Sequence, residues 1–408
     1  MRVTGARLGC GGTVAVLLVG VGLYLGISWV VQQIRWATAD TGDLVARLAD
    51  TDAGDRAKAR ERLVDTGEAA VAPLAATLDR GEATQRREAA LALSEIGGDE
   101  AYAAVAAALD DEAEAVRASA EAGLVKAGHD AVPALVGTLK SDDPALAASS
   151  ARLLGSIGDA AAGHPLKQAL DHRVAAVRAA AARAVGMLGV ESAASKLVVL
   201  LGDPDGRVRA GARGALVKLD DAAVKPLLRA LNSSRARVRE GAVVALGRLR
   251  VKAAAPKLAR MLNDKSGPVR LAVEDALVAM GKAAVAPLSG KLGVAAGATK
   301  WVAADILLRI AESDPDAVKP LLQYLRSGSV RGVADRYAFF IRLGRKGSEG
   351  LLIQALNSYG NVDMAEDYLN CGNDRLDAAA RRWAAARGYS VTSTPGYYGG
   401  PVWGSGSD

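Results

Sequence analysis

Large rings are scarce in this chain. Phe occurs twice in 408 residues and aromatics make up 4%. That excludes a core organised around big side chains and leaves alanine and leucine to fill it through close helix-on-helix contact. Cysteine also occurs twice, as Cys10 and Cys371, far apart in sequence. No disulfide framework and no CxxC zinc site can be built from these two. There are three histidines, His129, His164 and His172. No segment alternates apolar and polar residues, so almost no β-structure is expected. Also missing are a Gly-rich phosphate loop after a strand, a G-x-S-x-G elbow and an HExxH pair. Acid pairs such as Asp110-Asp111 and Asp142-Asp143 fall in turns, where helix capping accounts for them.

One long uncharged run is present, TVAVLLVGVGLYLGISWVV at residues 13–31. At about 1.5 Å per residue it nearly spans a hydrocarbon core of about 30 Å. Arg2 and Arg7 precede it, Gln32 and Gln33 follow, and Trp36 falls where an interfacial anchor belongs. The expectation is a single-pass membrane protein of the bacterial plasma membrane. Residues 1–12 would be cytoplasmic, 13–31 an uncleaved transmembrane signal anchor, and the repeats extracytoplasmic. A cleaved signal peptide ending at Ala37-Thr38-Ala39 is the alternative.

The rest of the chain is periodic. Arg56, Arg86, Arg117, Arg178, Arg209, Arg239, Arg270, Lys300 and Arg331 fall on one register, with Ala147 filling the gap, at steps of 30 or 31 residues. Three positions later stands a small residue (Ala59, Ala89, Ala120, Ala181, Ala212, Ala242). Seven positions later stands an aliphatic one, from Leu63 and Leu93 through to Leu307. Eleven positions later a glycine often follows: Gly67, Gly97, Gly128, Gly158, Gly189, Gly281. This is a 3.6-period face with a C-terminal stop. A shorter helix follows each one, as in AVAPLAATL at 70–78, with Pro73, Pro133, Pro226, Pro256, Pro287 and Pro320 expected in its opening turn. Two helices in about thirty residues cannot bury their own apolar faces. Stacking on neighbours does so, which predicts an all-α solenoid of about ten two-helix repeats over residues 40–357.

The pattern PLxxxL, an acidic turn, then VRxxAxxALGxxG resembles the HEAT repeat in its phycobiliprotein-lyase-like (PBS lyase HEAT-like) form. The resemblance implies that the second helix lines the concave side. It further implies that the early arginine meets a turn aspartate in a ladder along the stack. Asp50, Asp111, Asp203 and Asp264 lie six residues before Arg56, Arg117, Arg209 and Arg270 and are the expected partners. Such a carboxylate would offset the cost of about 0.3–1 kcal/mol for a cation at a helix N-terminus. Ala147 carries no charge, and Ser141, His172 and Ser233 replace the aspartate, so the ladder should be interrupted. HEAT-like enzymes resembling deoxyhypusine hydroxylase hold two irons through His-Glu pairs. No His-Glu step exists here, and three histidines cannot fill such a site.

Residues 358–390 read as a capping segment, with a helix at 374–387 anchored by Leu376, Ala380 and Trp383. Cys371 reads as an idle thiol, and 391–408 as an unfolded Gly/Ser/Tyr tail.

Charge is uneven. Residues 40–172 hold 13 Lys+Arg against 24 Asp+Glu, whereas 173–270 hold 20 against 7. Arg183, Arg213, Lys218, Arg248 and Arg250 sit on second helices outside the apolar stripe and form a candidate basic patch. Such a surface is often only solvated by water and counter-ions; among partners, an acidic protein segment suits it best. Nucleic acid is disfavoured because no aromatic platform accompanies the cations. Self-association of acidic with basic half stays open. The expected function is a membrane-anchored scaffold that binds partner proteins through a curved helical surface, with no cofactor and no catalytic site. The alternatives are a lyase-like enzyme or enzyme subunit, and a purely architectural envelope protein.

Overall fold

The computed structural model describes residues 36, 38–294, 299–321, 323, 330–344, 348–391 and 403, and among these there is no strand. The chain divides into two compact units, Met1–Val190 and Glu191–Asp408.

The first unit stacks helical hairpins. Its first helices are Thr41–Ala46, Val71–Arg80, Asp99–Ala107, Val132–Thr138 and Gly163–Ala169. Its second helices are Ala53–Thr66, Ala83–Ile96, Glu114–Ala127, Pro144–Ile157 and Ala175–Leu188. The second unit continues the pattern with Ala194–Leu200, Asp221–Ala230, Ala255–Met261 and Lys282–Val294, paired with Gly206–Lys218, Ala236–Arg248, Gly267–Met280 and Thr299–Ala311.

The alanine and leucine stripe forms the core. Ala59, Ala89, Ala120, Ala181, Ala212 and Ala242 are fully buried, as are Leu63, Leu93, Leu124, Leu154, Val185, Leu216, Leu246, Leu277 and Leu307. The first helices contribute Leu74, Val105, Leu135, Leu166, Leu197, Leu227, Leu258 and Leu288, also fully buried. Where the small position is polar, the core satisfies it: Ser150 Oγ donates to Leu146 O at 2.9 Å and lies 2.7 Å from Thr138 Oγ1.

Small residues set the spacing between second helices. A Cβ on Gly155 would stand 2.8 Å from both Cα and Cβ of Ala184. One on Gly247 would stand 2.7 Å from Ala276 Cβ and 2.9 Å from its Cα. These backbones approach closely because nothing larger intervenes.

Two expectations change. Pro133 and Pro256 do open their helices, but Pro226 and Pro287 lie inside Asp221–Ala230 and Lys282–Val294. In those two hairpins the chain turns directly into helix with no separate 3₁₀ turn ahead of it, so the proline falls beyond the first turn. The single-pass membrane placement is overturned. No helix among the described residues is long and apolar enough to cross a membrane, and residues 13–31, on which it rested, lie outside them. Trp36 is buried, with the Arg47 guanidinium 4.2 Å and the Lys58 ammonium 4.6 Å from its ring. Its apolar face packs on the first hairpin under two cations.

After Thr299–Ala311 the hairpin spacing changes. Val330–Ala334, Tyr337–Leu343, Glu349–Tyr359, Val362–Asn370 and Asp374–Ala385 gather around one cluster that includes Phe340, Ile341, Leu352, Tyr368, Leu376 and Trp383. Asn373 caps the last helix by accepting from Arg375 N and Leu376 N, both at 3.1 Å. Cys371 is buried there, its thiol 3.1 Å from Tyr368 O, and burial pushes its pKa up. Of the segment 391–408, Val391 and Trp403 are described; Trp403 packs on this cluster and its N–H donates to Cys371 O at 2.6 Å.

Candidate functional site: arginine ties and unpaired cations

The first-turn arginines bond to their own turn, and Arg86 and Arg239 make a second bond of a different kind. The first is to the turn that precedes their own helix. Arg56 Nη1 donates to the carbonyls of Asp50 and Thr51 at 2.7 and 3.0 Å, and Arg117 Nη1 to those of Asp111 and Glu112 at 2.6 and 2.9 Å. Arg209 reaches Asp203 O and Pro204 O, both at 2.8 Å, and Arg270 reaches Asp264 O at 2.7 Å. The same bond forms where no aspartate is present: Arg178 to His172 O and Arg239 to Ser233 O, each at 2.8 Å. The six-residue spacing therefore reflects a backbone carbonyl, not the expected carboxylate. These carbonyls follow the C-terminus of the preceding first helix, the negative end of its dipole. A cation at the start of the second helix is favoured for that reason.

The turn residue itself has a local task. Asp50, Asp111, Ser141, His172, Asp203, Ser233 and Asp264 each accept, through the side chain, the N–H two residues on, at 2.8–3.2 Å. Asp, Ser and a His ring nitrogen all serve. His172 is thus a turn residue.

The second bond joins neighbouring hairpins. Arg86 Nε and Nη2 hold the two carboxylate oxygens of Asp111 at 2.7 and 2.9 Å, and Arg239 holds those of Asp264 at 2.8 and 2.7 Å. The partner lies 25 residues downstream, one hairpin on. Both pairs are largely buried, and the paired fork geometry is the strong form of a charge-assisted bond. Burial alone would push the Asp111 carboxyl up, but the Arg86 guanidinium and the Ala113 N–H outweigh it and leave it below the ordinary range. Asp264 is likewise held low, chiefly by Arg239. The 25-residue spacing was visible in the sequence; the direction in which each carboxylate points was not.

The candidate patch is different in kind. Arg183, Lys218, Arg248 and Arg250 are exposed and Arg213 is half-buried. Among the described residues none of the five takes part in an ion pair. Arg183 belongs to the first unit and the other four to the second. Lys218 and Arg248 stand nine residues after Arg209 and Arg239, so they occupy one repeat position on neighbouring second helices. Arg250 also has φ +50°, at the place where Gly189 closes an earlier helix at φ +68°.

The structure adds a feature that the sequence did not reveal. In the second unit a groove of about 430 Å³ opens between the first helices Ala194–Leu200 and Asp221–Ala230, reaching the start of Ala236–Arg248.

Comparison with known families finds HEAT repeats over residues 164–235 and 197–278, and PBS lyase HEAT-like repeats over 85–111 and 146–172. Comparison with curated proteins gave no match. Among solved structures, the complex of CpcE and CpcF of phycocyanin lyase from Nostoc sp. PCC7120 is 24% identical, over 53% of this chain and 91% of that one, with TM-score 0.29. Human deoxyhypusine hydroxylase is 22% identical over 62% of this chain and 98% of that one, with TM-score 0.26. The karyopherin Kap121p, bound to the extreme C-terminus of the protein phosphatase Cdc14p, is 13% identical over 86% of this chain and 45% of that one, with TM-score 0.49. The chain carries HEAT and PBS lyase HEAT-like repeats and is all-helical over the described residues.

Proposed function

We propose that the protein is a HEAT-repeat scaffold that binds acidic segments of partner proteins through the basic second-helix surface of its second unit, without catalytic activity of its own. The observation that carries this reading is the contrast between two sets of cations on the same helices. Arg239 is buried in a carboxylate fork, whereas Arg213, Lys218 and Arg248 reach solvent or its edge with no counter-ion among the described residues. Preformed helices present these charges with little ordering cost on the scaffold's side. Fold alone does not assign a function, so the test concerns the charges. Wild type and the triple charge reversal Arg213→Glu/Lys218→Glu/Arg248→Glu are compared in pull-downs at low and high salt. Partners held by wild type, released by salt and lost in the variant support the reading; identical recoveries refute it.

The PBS lyase HEAT-like repeats favour one second reading, an enzyme-subunit role. It predicts bound chromophore when the protein is titrated with a bilin and followed by absorbance, and unchanged spectra dismiss it.

A further inference from the structure

We infer that the groove between Ala194–Leu200 and Asp221–Ala230 is a separate docking site for an acidic amphipathic helix. It rests on the scaffold reading only in taking a protein segment as ligand. Its lining joins the two first helices to the start of Ala236–Arg248 and includes neither Lys218 nor Arg248.

Its floor is largely apolar, with Val198, Pro226, Ala230 and Val238 beside Ser195 and Ser233 in the lining. Val199 is 61% exposed at its edge, an aliphatic side chain left in water beside an open depression. The rim is cationic. Arg229 is exposed, and Arg235 is exposed with one arm of its guanidinium fixed on Gly202 O at 2.6 Å. Lys225 lies one turn before Arg229 on the same helix and is exposed as well. No carboxylate lines the groove, and the surrounding stretch 173–270 is strongly basic. A neutral apolar helix would leave these cations without partners, and a simple anion would leave the floor wet. Two aliphatic side chains one turn apart, flanked by Glu, satisfy both surfaces. The depression lies between neighbouring helices, which suits insertion of one helical ridge.

The test uses the full chain and a fluorescent synthetic helix with two Leu at i and i+4 flanked by Glu, read by anisotropy. Val199→Glu and Arg229→Glu each weaken binding at least about tenfold. Both positions are exposed, and a circular dichroism melt confirms that the variants fold. In Lys218→Glu/Arg248→Glu the Leu-dependent part of the binding persists, whatever acidic binding the second-helix surface itself contributes. A peptide with Ser for Leu binds at least about tenfold more weakly. The inference is overturned by no binding of the peptide, by equal binding of the Ser peptide, or by full displacement with inorganic phosphate. It is also overturned if the second-helix reversal abolishes binding while the groove variants do not, an outcome that leaves the scaffold proposal standing. Sedimentation showing self-association that Val199→Glu removes, without peptide binding, would instead assign the groove to a second copy.

Discussion

The two units are built on the same hairpin and the same kind of core but differ in how much of the charge on their second helices is paired. In the first unit, neighbouring second helices are cross-tied. Arg60 holds Glu88 at 2.6 Å, and Arg152 pairs with Glu121 through both guanidinium nitrogens. In the second unit such a tie joins Asp275 and Arg309 at 3.1 Å, while Arg213, Lys218 and Arg248 have no counter-ion among the described residues. The units also close their second helices differently. In the first, glycines do so: Gly67, Gly97, Gly128, Gly158 and Gly189. In the second, Asp220 and Arg250 stand at positive φ beside Gly281. Stacking is thus carried by alanine, leucine, the turn and the first-turn arginine. The later helix positions are free to carry charge for another purpose, and the second unit uses that freedom.

The comparison breaks most severely at the buried fork. Arg239→Ala leaves the Asp264 carboxylate and two turn carbonyls without their donor, so about 3–5 kcal/mol of stability should be lost in urea denaturation. Arg56 makes the same carbonyl bonds but no carboxylate fork, and Arg56→Ala should cost about 1–3 kcal/mol. Equal losses would mean the fork adds nothing. The sign with pH is set by Asp264, whose native pKa is depressed. Its contribution is complete above the unfolded value of about 3.9 and is lost as pH falls through the native value. Wild type should therefore converge on the variant in acid.

Next come the close helix approaches, which both units share. Alanine for glycine inside a helix ordinarily stabilises by about 0.5–1 kcal/mol. At Gly155 and Gly247 the new methyl meets the backbone of the next helix, so the expected result is a loss of about 1–3 kcal/mol. Gly214, in the helix Gly206–Lys218, has open space at its Cβ position, and Gly214→Ala should show the ordinary gain. Thermal melts of the three variants decide whether spacing or propensity governs.

The third test sharpens the contrast in helix closure. Asp220 has φ +45° and ψ −119°, close to the Gly128 values of +59° and −121°. A side chain is strained there, so Asp220→Gly should stabilise the second unit by about 1–3 kcal/mol. An unchanged midpoint in urea would show that the strain is relieved elsewhere.

Much of this architecture is legible in the sequence, and the reason is physical. Burial on a helix recurs every 3.6 residues, so Ala59, Leu63 and their copies declare the buried face without knowledge of the partner. The ladder was half legible. Arginine and turn aspartate are both periodic, and Asp264 is as regularly placed from Arg239 as from Arg270. Only the path of the chain shows that its carboxylate goes back to one and its carbonyl forward to the other. The groove was not legible at all, because Val199 and Arg229 belong to successive hairpins and meet on a surface that neither helix defines alone. Trp36 shows the opposite failure. Its position after an apolar run suggested an interface, and the contacts with Arg47 and Lys58 came from residues further along the chain.

The smallest expected effect concerns a tie between turns of the first unit. His129 pairs through Nδ1 with the Asp159 carboxylate, 30 residues on and at the same place in the next hairpin. The next position in the first unit is Val190, and the second unit has Asp221, Val251 and Lys282 there, so an apolar valine interrupts the series in each. Hydrogen bonding to Asp159 raises the His129 pKa, and the same bond lowers that of Asp159. For a raised histidine, whatever the pair contributes is complete below about 6.5 and fades as pH climbs through the native value. A proton NMR titration of the His129 ring should therefore show a midpoint above the ordinary one, returning toward it in Asp159→Asn. Because His129 is exposed, added salt should move the wild-type midpoint down as well. A midpoint indifferent to both changes would show that the turns of successive hairpins are held by backbone and core alone, as the interruption at Val251 implies for the second unit.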